Sequence, residues 1–205
     1  MNKSDYAMES VGSELWHRAA GRLRGAACWK GGAMNFDLPI EQLVKRTDTR
    51  FQYGFATEAK ARLRARDEFV LSASRRGLHV LAPNEDGLAA PVGALRDAYG
   101  QSLEVGPPTV RLIEGVQVQE PIMQVRIALE TAYQEAVKQV LLAREATLEE
   151  EHARSRRAVL RYAAPLARLL GLPAELNSLT AGTARYWIVL SHYALVTRDP
   201  GGRAA

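Results

Sequence analysis

The stretch Ile122-Met-Gln-Val-Arg-Ile-Ala-Leu129 alternates apolar and polar side chains, which is the pattern of a strand that buries one face. Thr131 follows as a candidate helix cap, and apolar residues then recur at helical spacing up to about Arg144. The remaining elements are strands over 147–154 and 157–163, a helix opened by Pro165 and a long alternating strand over 186–196. The predicted order of this part of the chain is therefore β-α-β-β-α-β.

The preceding part of the chain repeats this order with weaker signals. A strand is predicted over 36–40. Three aromatic residues at every second position predict another strand over 47–55, and Thr57 then caps a helix that runs to about Arg66. The later elements are a hairpin of strands over 69–71 and 78–81, a helix over 88–99 ended by Gly100, and short strands over 103–105 and 110–113 on either side of Gly106-Pro-Pro108.

The two parts together predict an α+β protein made of two ferredoxin-like β-α-β-β-α-β sandwiches in tandem. We expect the first sandwich over 34–115 and the second over 116–198. Residues 1–33 are expected to form an N-terminal extension, with a short helix over 6–24 and a glycine-containing linker after it.

The composition of the 205 residues is that of an ordinary globular protein, with 47% hydrophobic and 24% charged residues. The single cysteine, Cys28, excludes an internal disulfide framework. No signal peptide and no apolar stretch of about 20 residues occurs, so we expect no membrane span and a cytoplasmic location. The net charge of +4 resides in residues 1–33 and 116–205, so any preference for an anionic partner is mild.

Motifs for enzymatic chemistry are missing from the sequence. No phosphate-binding loop of the form G-x-x-x-x-G-K-[ST], no G-x-G-x-x-G and no G-x-S-x-G occurs. One cysteine and four scattered histidines do not supply a zinc site. We interpret His79 and His192 as packed or surface residues, and the acidic run Glu149–Glu151 as a solvated sheet edge. We therefore expect no catalysis, no cofactor and no metal.

Four short motifs in the second half have the order and spacing of the fifth, C-terminal domain of elongation factor G. They are Glu120-Pro-Ile-Met-Gln-Val125, Ala164-Pro-Leu-Ala-Arg-Leu-Leu-Gly171, Leu176-Asn-Ser-Leu-Thr-Ala-Gly182 and His192-Tyr193. The stretch from Leu88 to Leu112 resembles the last helix and strand of the third domain of that factor, and the short span from Ile113 to Glu120 leaves no room for a fourth domain. The chain thus resembles a translational GTPase of the elongation factor G type reduced to domains III and V, without its GTPase domain.

The resemblance implies a non-catalytic protein that binds the ribosome or a translation factor; a GTPase domain on a separate subunit would make it part of a split factor. The candidate RNA- and ribosome-binding residues are Arg154, Arg156, Arg157 and Arg161 of the densest basic cluster, Arg185 beside Tyr186 and Trp187, and Asn177, Ser178 and Thr180 of the family signature. The competing interpretation of the cluster is a solvated turn that pairs with Glu149–Glu151. The acidic stretch Ala143–Glu151 replaces a basic helix end of the family and favours an alternative function, a protein–protein or homodimer module outside translation.

Overall fold

The computed structural model describes residues 38–63 and 69–196. The predicted helix over 6–24 and the linker after it lie outside these residues, as does the start of the predicted strand over 36–40. Within the described residues, no helix is long and apolar enough to cross a bilayer.

Two four-stranded antiparallel sheets follow one another along the chain. The first contains β1 Ile40–Arg46, β2 Val70–Ser74, β3 Gly77–Ala82 and β4 Leu103–Val110, with helices α1 Gln52–Arg62 and α2 Asp86–Tyr99. The second contains β5 Gln119–Glu130, β6 Thr147–Arg154, β7 Arg157–Pro165 and β8 Arg185–Leu195, with helices α3 Gln134–Ala143, α4 Leu166–Leu169 and α5 Leu172–Leu179. The strand orders are β2-β3-β1-β4 and β6-β7-β5-β8, so both sheets have the same topology. The predicted α+β fold of tandem ferredoxin-like sandwiches is confirmed.

The core of the second sandwich follows directly from the alternation in β5. Met123, Val125 and Ile127 are completely buried, while the residues between them face the other side of the sheet. Val137 and Leu141, one helical turn apart on α3, are also completely buried. The burial of each such side chain contributes about 1.5–3 kcal/mol to the free energy of unfolding.

The prediction of a strand over 47–55 is wrong, because this segment turns and then enters α1. Within α1, Tyr53 is exposed and Phe55 is buried although they are two positions apart, so they lie on different faces, as in a helix and not in a strand. Thr57 lies inside the helix and donates its hydroxyl to the Tyr53 carbonyl oxygen at 2.9 Å, so it is not a cap. Three aromatic residues at spacing two also satisfy the i, i+4 spacing of a helix, from Phe51 to Phe55.

Several further boundaries differ from the sequence prediction. The first strand is Ile40–Arg46 instead of 36–40. Thr131 is not a cap, because α3 begins at Gln134 and the Thr131 hydroxyl donates to the Ser155 carbonyl at 3.4 Å.

The prolines of Gly106-Pro-Pro108 do not separate two strands but lie within β4, an edge strand that tolerates their missing N–H groups. The pairing of β1 with β4 is irregular there, and Gln42 donates its side-chain amide to the Gly106 carbonyl at 2.8 Å. The helix opened by Pro165 ends at Leu169, and Gly171, with φ +78°, leads into a separate helix, α5.

A short loop before α2 joins the two sandwiches. Asn84 donates its side-chain amide to the Ile188 carbonyl of β8 at 3.0 Å, and Glu85 accepts a bond from the Gly171 amide at 2.8 Å. Tyr186 donates its hydroxyl to Asp86 at 3.3 Å, and burial raises the pKa of this phenol. Three consecutive side chains of the first sandwich therefore form hydrogen bonds with the second sandwich. The described residues belong to one compact unit.

Candidate nucleic-acid interface

The basic cluster predicted from the sequence lies at the tip of the β6–β7 hairpin. Arg154 and Arg157 face each other as the last pair of the two strands, and Arg156 lies in the turn between them. All three side chains are exposed. The hairpin therefore presents three guanidinium groups at one end of the second sheet, a suitable geometry for phosphate contacts.

Arg185 joins this basic end from the other side of β5. Arg157 pairs with Glu130 at the end of β5, and Arg185, the first residue of β8, pairs with Ala128 only two residues earlier. Both side chains are exposed. The fold thus brings together arginines that are 28 positions apart in the sequence, although Glu130 stands between them and reduces the local positive charge.

Arg161 lies apart from the hairpin tip, in the middle of the sheet. In the pairing of β7 with β5, Arg161 lies opposite Arg126. The Arg161 guanidinium Nη1 is 2.9 Å from a Glu150 carboxylate oxygen, and this ion pair balances much of its charge. Arg126 in turn lies over the Trp187 ring, with 5.5 Å between the guanidinium carbon and the ring centroid. Trp187 is 47% exposed, so an aromatic surface is available, although Arg126 covers part of it.

The residues of the signature 176–182 separate into exposed and structural ones. Asn177 and Ser178 are exposed on α5. Thr180 is completely buried: its hydroxyl donates to the Leu176 carbonyl at 2.7 Å and accepts from the Ala184 amide at 3.2 Å. Thr180 therefore shapes the turn into β8 and is not available to a partner.

Three of the four glutamates in the acidic stretch after α3 form ion pairs within the protein. Glu150 pairs with Arg161, Glu151 with Lys138 at 3.0 Å, and Glu145 with Arg168 at 2.9 Å. β6 is an edge strand whose side chains are all exposed, as the sequence predicted for a solvated edge. Surface ion pairs of this kind add about 0–1 kcal/mol each, so their main effect is to cancel charge.

The one basic residue in this stretch, Arg144, has a structural function. It donates to the Arg168 and Leu170 carbonyls at 2.8 and 2.9 Å, and its Nη2 lies 2.7 Å from a Glu175 carboxylate oxygen. Arg144 therefore ties the end of α3 to α4 and α5.

A serine, a histidine and a carboxylate meet on the first sheet, an arrangement that no sequence motif indicated. Ser74 Oγ is 2.8 Å from His79 Nε2, and His79 Nδ1 is 2.5 Å from Glu41 Oε1. This order resembles a nucleophile, a base and an orienting acid. The serine oxygen is already engaged by its own hairpin, however, since it accepts from the Arg76 amide and donates to the Gly77 carbonyl, both at 3.1 Å. The three side chains fasten β1, β2 and β3 together.

No group of three or more His, Cys, Asp or Glu side chains within 38–63 and 69–196 is arranged to hold a metal ion.

Comparisons with known proteins assign the second sandwich. Residues 117–203 match the family model described as "Elongation factor G C-terminus", so this part of the chain is a domain of the elongation factor G C-terminal type. A solved structure of a protein from Thermus thermophilus superimposes with a TM-score of 0.57 at 15% identity, over 86% of this chain and 44% of that one. At this identity the likeness shows the fold alone, and the chain spans less than half of that protein. A search of curated proteins finds no match.

Proposed function

We propose that this protein is a non-catalytic, translation-associated protein that binds the ribosome or a translation factor. The observation that carries the proposal is the domain of the elongation factor G C-terminal type at residues 117–203. We further propose that the first sandwich corresponds to the third domain of such factors, since it has the same topology and directly precedes the second.

The basic end of the second sheet supports contact with ribosomal RNA. Arg156 and Arg157 are exposed and have no ion-pair partner among the described residues, and Arg185 adds a third such charge. Guanidinium groups that contact phosphates release the counterions condensed on the RNA, so the binding weakens as the salt concentration rises.

Co-sedimentation with purified ribosomes over a series of salt concentrations tests this function. We expect the protein to pellet with ribosomes at low salt, and the variant Arg156→Gln/Arg157→Gln to pellet less. A matched control, Lys60→Gln/Arg96→Gln, removes two exposed charges from helices α1 and α2 and should pellet as the wild type does. Failure of the wild-type protein to pellet at any salt concentration would refute ribosome binding.

A second candidate function, self-association, is favoured by one observation. β8 is an edge strand that exposes apolar side chains, among them Trp187, Val189 and Leu195. An exposed apolar edge is a template for pairing with another strand. Light scattering after size exclusion would give the mass of a dimer, and Val189→Lys would return it to a monomer. A monomeric wild-type protein at all concentrations removes this candidate.

A further inference from the structure

A shallow cleft opens at one end of the first sandwich, on a surface that no sequence motif indicates. It is lined by Arg50, Phe51, Gln52, Tyr53, Ser74 and Arg75 and has a volume of about 680 Å³. The first four residues come from the loop and helix start after β1, and the last two from the β2–β3 hairpin. We call it the loop–hairpin cleft.

The aromatic ring of Phe51 is both held in place and open to solvent. The side chain is 69% exposed. One edge of the ring rests against Gly54, since a methyl group at Gly54 would lie 2.4 Å from Cδ1 and 2.5 Å from Cε1 of the ring. The backbone is fixed as well, because the Phe51 amide donates to Thr49 Oγ1 at 3.1 Å. The exposed part of the ring is a surface on which a base can stack.

Positive charge reaches this cleft from two separate segments. Arg50 and Arg75 are exposed, and neither has an ion-pair partner among the described residues. Arg76, the next residue of the hairpin turn, is exposed and unpaired within the same residues. The nearby carboxylate, Asp48, is bound by Arg46, so it does not neutralise Arg50.

We propose that the loop–hairpin cleft binds a segment of single-stranded RNA. Bases stack on Phe51 and Tyr53, which is 49% exposed, while Arg50 and Arg75 contact the phosphates on either side. The combination of exposed aromatic rings with arginines that have no ion-pair partner among the described residues favours a nucleic-acid strand over a protein partner. An open cleft also suits a strand that passes through it better than a small ligand, which requires enclosure. The cleft gives the RNA-binding protein proposed above a second contact and to that extent rests on that proposal.

Fluorescence anisotropy with a labelled oligouridylate of about eight nucleotides tests the cleft directly. We expect Phe51→Ala to weaken binding about tenfold and Phe51→Trp to preserve it, since tryptophan keeps a stacking surface. Arg50→Gln/Arg75→Gln should weaken binding and reduce the slope of log affinity against log salt by roughly 1.4, about 0.7 for each lost phosphate contact. Lys60→Gln/Arg96→Gln, which changes net charge equally outside the cleft, should leave the affinity within about twofold of the wild type.

The outcomes separate the cleft from the proposed ribosome binding. The wild type and Phe51→Ala could bind the oligouridylate with equal affinity while circular dichroism shows that both are folded. This result would overturn the proposal that the cleft binds RNA, even if the protein pellets with ribosomes. Loss of oligouridylate binding in Phe51→Ala supports the cleft even if the wild type never pellets with ribosomes. If uridine monophosphate displaced the labelled oligouridylate as effectively as the unlabelled oligonucleotide does, the cleft would be a small-ligand site. This result would also overturn the proposal.

Discussion

In both sandwiches the first strand ends before a threonine, Thr47 in one and Thr131 in the other, and the chain then turns toward a helix that begins with glutamine. The two threonines bond in opposite directions. Thr47 donates its amide to the Ser102 carbonyl at 2.9 Å, beside β4, whereas Thr131 donates its amide to the Arg156 carbonyl at 3.0 Å, in the hairpin turn. The loop of the second sandwich is therefore bonded to its hairpin, and the loop of the first is bonded to the segment before β4.

The helix starts differ in the same sense. Phe51 precedes α1 and is exposed, while Tyr133 at the corresponding place before α3 is partly buried against the core. Gly54 is the third residue of α1, and Ala136 is the third residue of α3. Glycine at this position of α1 leaves room for the edge of the Phe51 ring. Identical topology thus produces a closed end in one sandwich and an open cleft in the other.

Arginines in the two sandwiches consequently differ in function. Arg144 of the second sandwich holds backbone carbonyls and a carboxylate, whereas Arg75 of the first extends into solvent at the cleft. Net charge does not reveal this difference, because residues 34–115 are neutral as a whole. What distinguishes a binding surface here is the absence of internal partners for its cations within the described residues.

The largest effect on stability is expected from Arg144→Ala. The substitution removes two bonds to carbonyls and the pair with Glu175, so we expect the free energy of unfolding to fall by about 2–3 kcal/mol. Arg75→Ala should change it by less than about 0.5 kcal/mol. Urea denaturation measures both, and the slope with urea should stay constant. Equal effects of the two substitutions would show that the arginines do not differ in function.

An intermediate effect is expected from exchanging the residues at the third helical position. Gly54→Ala should raise the free energy of unfolding by about 0.5–1 kcal/mol, because alanine favours the helix, and Ala136→Gly should lower it similarly. The new methyl group at position 54 also displaces the Phe51 ring, so Gly54→Ala should weaken oligouridylate binding while stabilising the protein. A Gly54→Ala variant that is more stable and binds the oligonucleotide as the wild type does would show that the ring position is irrelevant to binding.

The sequence predicts the fold well where a pattern is long, and it groups candidate site residues only where they are contiguous. The alternation over Ile122–Leu129 extends through eight residues and indicates a strand, whereas the three aromatic residues from Phe51 to Phe55 satisfy both periods and predict a strand wrongly. Arg154, Arg156 and Arg157 form a visible cluster because they are neighbours in the sequence. Arg50 and Arg75 do not, since they meet only where the loop after β1 and the β2–β3 hairpin line the same cleft. Thr180 belongs to a motif, yet its burial depends on the turn that follows α5 and is not visible in the motif itself.

The smallest effect expected is a loss of stability at alkaline pH, to which one tyrosine in each sandwich contributes. Burial raises the pKa of Tyr99 in the first sandwich and of Tyr162 in the second, so the folded protein favours the neutral phenols. Each contribution to stability is fully present below the unfolded pKa of about 10 and is lost as the pH rises through the higher folded value. Urea midpoints should therefore decline above about pH 10, and Tyr99→Phe and Tyr162→Phe should each make the decline less steep. If one substitution alone has this effect, the sandwiches differ in their cores as well as at their ends.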